Sequence, residues 1–419
     1  MSQIITKGQA RYALVILMLV NAVNYMDRMV VPILFPLIKE DLALSDTELG
    51  LIGGLAFTLV YALAAIPVGW ATDRFNRKYV ISAGILVWSV ATAMSGITGR
   101  FATLFAARSL TATGEASCHP CGISMISDYF SPKIRTTAIA LFQLGIPLGG
   151  GLGVVLGGIL AAKFGWRSTF FFYAVPGVIL LPFILIMKEP VRGASEGLSV
   201  EEVNDTGESF LEGLKRILKM KSLLLQYSVA LFTQFGLMSF SVWMPTYLVR
   251  TRGFDIAGAG KIMGAAFLVG GIFGAVGGGA IADRWFKKDK SARVKVQTIA
   301  LALTIPCSLV AMLIDSQFVL LPAIFLTSIL ATACYPICSA ILVDVLGPKE
   351  RGIGMSFLLI VQNGIGLTLA SLLVGAISDL TGSLLNGLML APVAIGIAMV
   401  ISMNLKKYYL SDYKAPANA

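Results

Sequence analysis

The stretch that decides the fold is Gly69-Trp70-Ala71-Thr72-Asp73-Arg74-Phe75-Asn76-Arg77-Lys78, which comes at the end of a long apolar run. Its counterpart, Gly279-Ala280-Ile281-Ala282-Asp283-Arg284-Trp285-Phe286-Lys287-Lys288, ends another apolar run much later in the chain. A second loop also repeats, at nearly the same separation: Asp128, Pro132, Lys133 and Arg135 recur as Asp344, Pro348, Lys349 and Arg351. Two repeats at nearly one offset predict that the chain consists of two related halves.

The composition around these motifs is that of a membrane protein. Of the 419 residues, 56% are hydrophobic and only 13% are charged, and the mean hydropathy is +0.81. Soluble domains are about 45–50% apolar and about 25% charged, so this chain has too few charges to cover a soluble fold. The five cysteines lie in apolar runs, which argues against a disulfide scaffold. We therefore predict an integral membrane protein.

The positions of the apolar runs predict the topology. A spanning helix needs about 20 mostly apolar residues. By this measure there are twelve spans, at roughly 12–38, 49–71, 79–98, 101–127, 136–161, 168–187, 223–249, 257–282, 296–314, 317–343, 353–378 and 384–404. Most of the 33 Lys and Arg residues fall on the side that holds both termini. Basic loops stay inside, so we expect cytoplasmic termini in a bacterial inner membrane, and the net charge of +10 does not indicate a nucleic-acid partner.

The predicted fold class is an all-α integral membrane protein of two pseudo-symmetric six-helix halves. Residues 1–187 form the first half and residues 223–419 form the second half with a short tail. The polar segment 188–222 is predicted to be a cytoplasmic linker with an amphipathic helix near Ser209–Lys221. Internally repeated halves of this kind are the architecture of secondary transporters.

The repeated loop resembles the signature of the major facilitator superfamily, and the first half resembles its spinster-like branch. The stretches that carry the second resemblance are Asn24–Arg28, Leu44–Leu51, Asp73–Lys78, Gly114–Ser117, Ser127–Phe130, Gly145–Gly149 and Gly165–Arg167. The resemblance implies a carrier, and eukaryotic spinster proteins are associated with export of lysolipids and sphingosine-1-phosphate. The anion:cation symporter branch, which moves organic acids with protons, is similar in an Asn-Tyr-x-Asp-Arg-like element and in an acidic residue of the fourth span.

Four ionisable residues fall well inside predicted spans: Asp27 and Arg28 in the first, and Arg108 and Glu115 in the fourth. Ionisable groups there cost at least about 2.5–3.5 kcal/mol each, so they usually face a cavity or each other. Arg108 and Glu115 are two helical turns apart, and His119 lies one turn further along the same face. Counting about 1.5 Å per residue from the loops puts Asp27 and Arg28 at a similar depth. We expect one neutral cluster.

Two interpretations of this cluster stay open. In the functional one, Asp27, Glu115 or His119 binds a coupling proton, and Arg28 or Arg108 holds the phosphate or carboxylate of a substrate. In the structural one, ion pairs lock the first helix against the fourth, and His119 is a hydrogen-bonded core residue. We favour a functional cluster, because two acids and two bases cost more than a lock requires. The spinster resemblance also places its acidic and arginine positions on these four residues.

The loops at the cytoplasmic helix ends supply candidates for a gate. These are Asp73, Arg74, Arg77, Asp128, Arg135, Asp283, Arg284, Asp344 and Arg351. Solvated positive-inside loops explain the basic residues alone. The repeated aspartates, together with the resemblance, favour pairs between helices that latch the cytoplasmic side while the protein is open to the outside.

Substrate-binding side chains are predicted in both halves. Besides the two buried arginines, the candidates are Asn24, Tyr25, Gln143, Gln234, Trp243, Tyr335, Gln362 and Asn363. The second half has no comparable buried charge, so a cavity lined by these residues is charged on one side and mostly apolar on the other. Such a cavity suits an amphiphile, although the amide groups suit the hydroxyl groups of a sugar acid equally well.

From these features we predict a proton-coupled secondary transporter that moves an amphipathic anion, such as a lysolipid, by alternating access. The alternative is an organic-acid:proton symporter for a sugar acid or carboxylate. We do not expect an enzyme, because a single histidine leaves little acid–base apparatus. ATP-driven transport is not expected either, because no Gly-x-x-x-x-Gly-Lys-Ser/Thr loop occurs. We expect a monomer with no metal and no cofactor except the proton, whose partners are the substrate and the lipid bilayer.

Overall fold

The computed structural model describes residues 6–191, 215–346 and 350–413, which are almost entirely helical and include no strand. The first stretch contains α1 (Lys7–Leu42), α2 (Asp46–Gly53), α3 (Leu55–Arg74), α4 (Arg77–Ser95), α5 (Phe101–Glu115), α6 (Cys118–Tyr129), α7 (Pro132–Gln143) and α8 (Gly145–Ile186). The later stretches contain α9 (Lys221–Arg250), α10 (Ile256–Val269), α11 (Ala275–Phe286), α12 (Ala292–Leu313), α13 (Gln317–Val345), α14 (Arg351–Leu359), α15 (Thr368–Thr381), α16 (Leu384–Leu388) and α17 (Leu390–Asp412).

The all-helical prediction is confirmed, and the helices are consistent with twelve spans. Ten segments of the described chain are long and apolar enough to cross a membrane. One of them, Ile134–Ile186, contains both the fifth and the sixth predicted span, which meet at a turn inside α8. Gly165 makes this turn with φ 78° and ψ 166°, a conformation that a residue with a Cβ adopts only with strain. The fourth predicted span consists of α5 and α6, each too short to count alone.

Several spans are interrupted in mid-course. Gly54 (φ −109°, ψ −83°) separates α2 from α3, and Ala116–Ser117 separate α5 from α6. Two segments, Gly270–Gly274 and Ile360–Leu367, are π-helical and continue into α11 and α15. Segments of π-helix often occur at functional sites, because the extra residue per turn leaves a carbonyl without its usual partner and redirects side chains.

The chain divides into two compact units by its contacts. The first unit comprises Met1–Leu44, Leu55–Thr206 and Asp255–Gly264, and the second comprises Ser45–Gly54, Gly207–Phe254 and Ala265–Ala419. The predicted halves 1–187 and 223–419 therefore differ from the contact units by two short segments. The predicted linker helix near Ser209–Lys221 lies largely outside the described residues, which begin again with a helical turn at residues 215–218.

Close helix contacts explain why the two short segments group as they do. In the second unit α2 packs on α15, and a Cβ on Gly375 would lie 2.2 Å from the Asp46 carbonyl oxygen. In the first unit α10 packs on α8, where a Cβ on Gly264 would lie 2.5 Å from the Gly151 carbonyl oxygen. Small residues allow such close approach of helices.

Each unit has its own apolar core. In the first unit, Trp88 on α4, Met125 on α6 and Phe142 on α7 are buried together with residues of α1. In the second unit the core packs around Tyr227 on α9, Ile337 on α13 and Tyr409 on α17. The first core includes residues of α1, the helix that carries Asp27 and Arg28.

Candidate functional site

The four predicted intramembrane charges meet in the first unit, where α1 and α5 face each other. An Arg28 guanidinium nitrogen lies 3.4 Å from Glu115 Oε2, and an Arg108 nitrogen lies 3.6 Å from Asp27 Oδ1. Asp27, Arg108 and Glu115 are at most 1% exposed, whereas the Arg28 side chain is 14% exposed. The two carboxyl groups also interact electrostatically with each other. The pairs thus form one buried cluster of two acids and two bases.

Several polar atoms of this cluster have no hydrogen-bond partner among the described residues. They are Asp27 Oδ1, Glu115 Oε1, Arg28 Nε, and both Nε and Nη1 of Arg108. A buried ion pair stabilises a fold only when its remaining donors and acceptors are satisfied. This cluster therefore keeps hydrogen-bonding capacity beyond that of a structural lock.

Neutral side chains complete the surroundings of the two acids. Thr92 on α4 donates a hydrogen bond of 2.5 Å from its hydroxyl to Asp27 Oδ2. Asn24 on α1 donates from its amide to the backbone carbonyl of Glu115, at 3.4 Å. Thr92 was not predicted, because a threonine inside an apolar span carries no distinctive signal.

Aromatic rings surround the partly exposed arginine. The Arg28 guanidinium carbon lies 4.7 Å from the ring centre of Tyr25, 4.5 Å from that of Phe57 and 4.9 Å from that of Tyr61. Phe57 also lies 5.8 Å from the Arg108 guanidinium, so one ring contacts both cations. The three rings thus make cation–π contacts with the Arg28 guanidinium. Tyr25 was predicted, but Phe57 and Tyr61 on α3 were not, although their spacing of one helical turn is a detectable signal.

His119 lies beside the cluster. The fourth span is two helices: α5 ends at Glu115, and His119 lies in the first turn of α6. The imidazole ring makes edge contacts with Tyr25 and Phe142, at centroid distances of 6.4 and 5.6 Å. These contacts place His119 in an aromatic environment, and its part in proton coupling stays a prediction.

The predicted polar residues of the second half differ in their surroundings. The Tyr335 hydroxyl on α13 donates to the buried Gln234 amide oxygen on α9. Gln362 is buried and Asn363 is exposed, and both lie in the π-helical segment. Trp243 is fully buried, and its indole N–H donates to the Ser371 carbonyl at 3.0 Å, which makes it a helix-packing residue. In the first unit Gln143, which is half-buried, ends α7.

Two of the predicted gate residues of the first unit, Arg77 and Asp128, form a staple at one end of the helices. Arg77 is buried and donates to Asp128, and its Nε lies 2.7 Å from Glu189 Oε1. Asp73 and Arg74 are exposed. The staple joins α4, α6 and the segment after α8, and Glu189 was not predicted, because a single acid in a linker is not a distinctive signal.

The second unit contains an equivalent staple. Arg293 on α12 lies 2.5 Å from Asp344 Oδ1 and 2.8 Å from Asp283 Oδ1, and Tyr409 donates to Asp344. Arg284 is exposed. Arg135 is half-buried in α7 of the first unit, and the side chain of Arg351 lies outside the described part. The described pairs each join helices of one unit, and their role as a gate stays a prediction.

The comparisons with known proteins agree with one another. The family model described as Major Facilitator Superfamily matches residues 17–291. Protein spinster homolog 1 of Xenopus tropicalis is 29% identical, over 87% of this chain and 72% of that protein. The hexuronate transporter of Bacillus subtilis (strain 168) is 26% identical, over 96% of this chain and 95% of that protein. In fold the chain is similar to the crystal structure of a bacterial homolog of the human lysosomal transporter Spinster in an inward-facing, unoccupied conformation, with a TM-score of 0.88, 23% identity, and coverage of 98% of this chain and 100% of that one.

Proposed function

The chain belongs to the Major Facilitator Superfamily and is a spinster-like, multi-pass membrane transporter, and we propose that it uses protons to move an amphipathic anion such as a lysolipid. Its relatives are transporters of small molecules and not enzymes, as the sequence predicted. Three parts of this statement are proposals: the proton coupling, the anionic substrate and the cytoplasmic location of the termini.

The observation that carries this proposal is the buried cluster of Asp27, Arg28, Arg108 and Glu115. Its charges balance, yet its donors and acceptors are not all satisfied among the described residues. An anion adds negative charge beside the arginines, and a proton on a carboxyl group removes the same amount. The cluster stays neutral when both bind and when neither does, which favours transport of the two together.

The geometry supports this exchange of partners at Arg28. The rings of Tyr25, Phe57 and Tyr61 lie around the guanidinium and Glu115 contacts one of its nitrogens, so an anion that binds Arg28 competes with Glu115 for this cation. Protonation of the carboxyl group releases that nitrogen, and an anion on the arginine in turn favours the protonated acid, because coupling between two sites is reciprocal.

A second candidate, a sugar-acid or carboxylate:proton symporter, rests on a separate observation. The hexuronate transporter aligns with almost the full length of both chains. The same arginines fit a carboxylate, and the amides of Gln143 and Gln362 fit sugar hydroxyl groups.

A side-by-side uptake experiment distinguishes the two candidates. Purified protein in liposomes receives a radiolabelled lysolipid or a radiolabelled hexuronate, with an acidic exterior. We expect proton-driven uptake of the lysolipid and none of the hexuronate. The opposite result establishes the symporter, and uptake of both at the same rate with and without the pH gradient contradicts proton coupling.

The variant Arg28→Ala tests the anchor in the same assay. Removal of the guanidinium should weaken binding of the transported anion by at least about tenfold, since charged hydrogen bonds contribute roughly 1.5–3 kcal/mol. The matched control is Arg100→Ala, which removes an exposed arginine just before α5. Equal affinities for the two variants would contradict the assignment of Arg28.

A further inference from the structure

The two acids of the cluster have different hydrogen-bond environments. Asp27 accepts a 2.5 Å hydrogen bond from the Thr92 hydroxyl and faces Arg108 at 3.6 Å. Glu115 has Arg28 at 3.4 Å from Oε2, and each acid has one oxygen, Asp27 Oδ1 or Glu115 Oε1, without a hydrogen-bond partner among the described residues. The two carboxyl groups are almost equally buried and differ in their donors: Asp27 has a neutral hydroxyl donor in addition to its arginine, whereas the hydrogen bond to Glu115 comes from an arginine.

The partners of Glu115 also change more readily than those of Asp27. Thr92 is fully buried on α4, and Arg108 is 1% exposed. Arg28, the partner of Glu115, is the arginine with exposed surface and is the one that an anion can reach. An anion on Arg28 thus takes a partner from Glu115 and leaves the contacts of Asp27 in place.

We propose that Thr92 is a positioning residue: by holding Asp27 as the ionised partner of Arg108, it leaves Glu115 as the carboxyl group that takes up the coupling proton. This inference rests on the proposed proton coupling and assigns its two acids to different roles. The groups that face Asp27 are Arg108 and Glu115 on α5, the Thr92 hydroxyl on α4, and Tyr173 on α8, whose hydroxyl donates to the Gly153 carbonyl.

The chemistry of a hydroxyl group gives the sign of the effect. A threonine hydroxyl donates to a carboxylate and accepts from a protonated acid, so it contacts Asp27 in either state. A hydrogen bond to an ionised group is roughly twice as strong as one between neutral groups. Thr92 therefore favours the ionised form of Asp27, and its removal shifts the protonation of Asp27 to higher pH.

Infrared difference spectra of the purified full-length protein test this inference without transport. The carboxylic acid signal that appears on acidification should be lost in Glu115→Gln and kept in Asp27→Asn. In Thr92→Val we expect a second carboxylic acid signal, from Asp27, with a midpoint about one pH unit higher than that of any Asp27 signal in the native protein. The double variant Thr92→Val with Asp27→Asn should lack this second signal. Thr92→Ser, which keeps the hydroxyl, should match the native spectra.

Two outcomes overturn the inference. One is a native signal that disappears in Asp27→Asn and persists in Glu115→Gln. The other is that the carboxylic acid signals of Thr92→Val and Thr92→Ser have equal midpoints. If Thr92→Val does not fold, Thr92→Ala takes its place. Failure of the proposed function is distinguishable from failure of this inference. If the spectra follow the expected pattern but Glu115→Gln still accumulates substrate on a pH gradient, the role of Thr92 stands and the proposed proton coupling is wrong.

Discussion

At the residue scale, the partners of each charge determine what it does. Arg28 and Arg108 are both buried arginines in the first unit, but aromatic rings hold Arg28 beside Glu115, while Arg108 lies against Asp27. The described contacts thus separate an arginine with exposed side-chain surface from one that is buried beside its aspartate. Single substitutions in this cluster should therefore alter substrate binding and proton coupling independently.

Glu115→Gln should separate exchange from accumulation. The amide resembles the protonated acid, so the variant should bind substrate and exchange it across the membrane, yet fail to accumulate it on a pH gradient. Counterflow and gradient-driven uptake in liposomes measure the two activities. Asp27→Asn is the companion variant: because the coupling proton is assigned to Glu115, the loss of accumulation should be confined to Glu115→Gln. Full pH-driven accumulation by both variants would favour the structural lock over a proton relay.

At the element scale, interruptions of the helices decide which surfaces meet. Gly54 ends the segment that packs with α15, and α3 begins one residue later with the rings that contact Arg28. The start of α2 is tied to α15 as well, because Asp379 accepts hydrogen bonds from the backbone N–H groups of Asp46 and Thr47. One predicted span thus supplies packing for the second unit and part of the charged site of the first.

Gly375→Ala should disrupt the contact between α2 and α15. The added methyl group would lie 2.2 Å from a backbone oxygen, and overpacking of this kind costs about 1–3 kcal/mol. Thermal unfolding of the purified protein should show a lower Tm than that of the native chain. The control is Gly277→Ala on α11, where a Cβ meets nothing within 4 Å; an equal change in Tm for both variants would show that the close contact is not the cause.

At the scale of the whole molecule, the two units repeat one staple. Arg77 with Asp128 in the first unit matches Arg293 with Asp344 in the second, and the two members of each pair are equally far apart in sequence. The repeated motif places Lys287 at the position of Arg77, whereas the ion pairs make Arg293 its counterpart. The repeated pairs support the internal repeat that the motifs predicted.

The proposed topology places this repeated end in the cytoplasm. In an otherwise cysteine-free protein, a Lys290→Cys variant should not react with a membrane-impermeant thiol reagent added to intact cells. The reason is that Lys290 lies in a basic loop, and basic loops stay on the cytoplasmic side of the membrane. Lys163→Cys, in the loop between the fifth and sixth predicted spans, should react and serves as the control. Labelling of Lys290→Cys from outside would reverse the proposed orientation.

The sequence by itself determined the class of the protein, the number of spans and the four buried charges. Each of these follows from the cost of placing polar groups in a bilayer, which depends on residue type and local run length and not on distant neighbours. The motif repeat likewise needs no coordinates. This is why the transporter family was predictable before any contact was known.

The tertiary structure alone decided which charges pair and what surrounds them. The pairing of Arg28 with Glu115, the hydroxyl of Thr92 on Asp27 and the staple through Arg293 join residues far apart in the chain. A helical period says which face a side chain occupies, but not which helix lies opposite or where a span is broken. The proposal of different roles for the two acids rests on those contacts, because the sequence presents both simply as carboxylates inside a membrane.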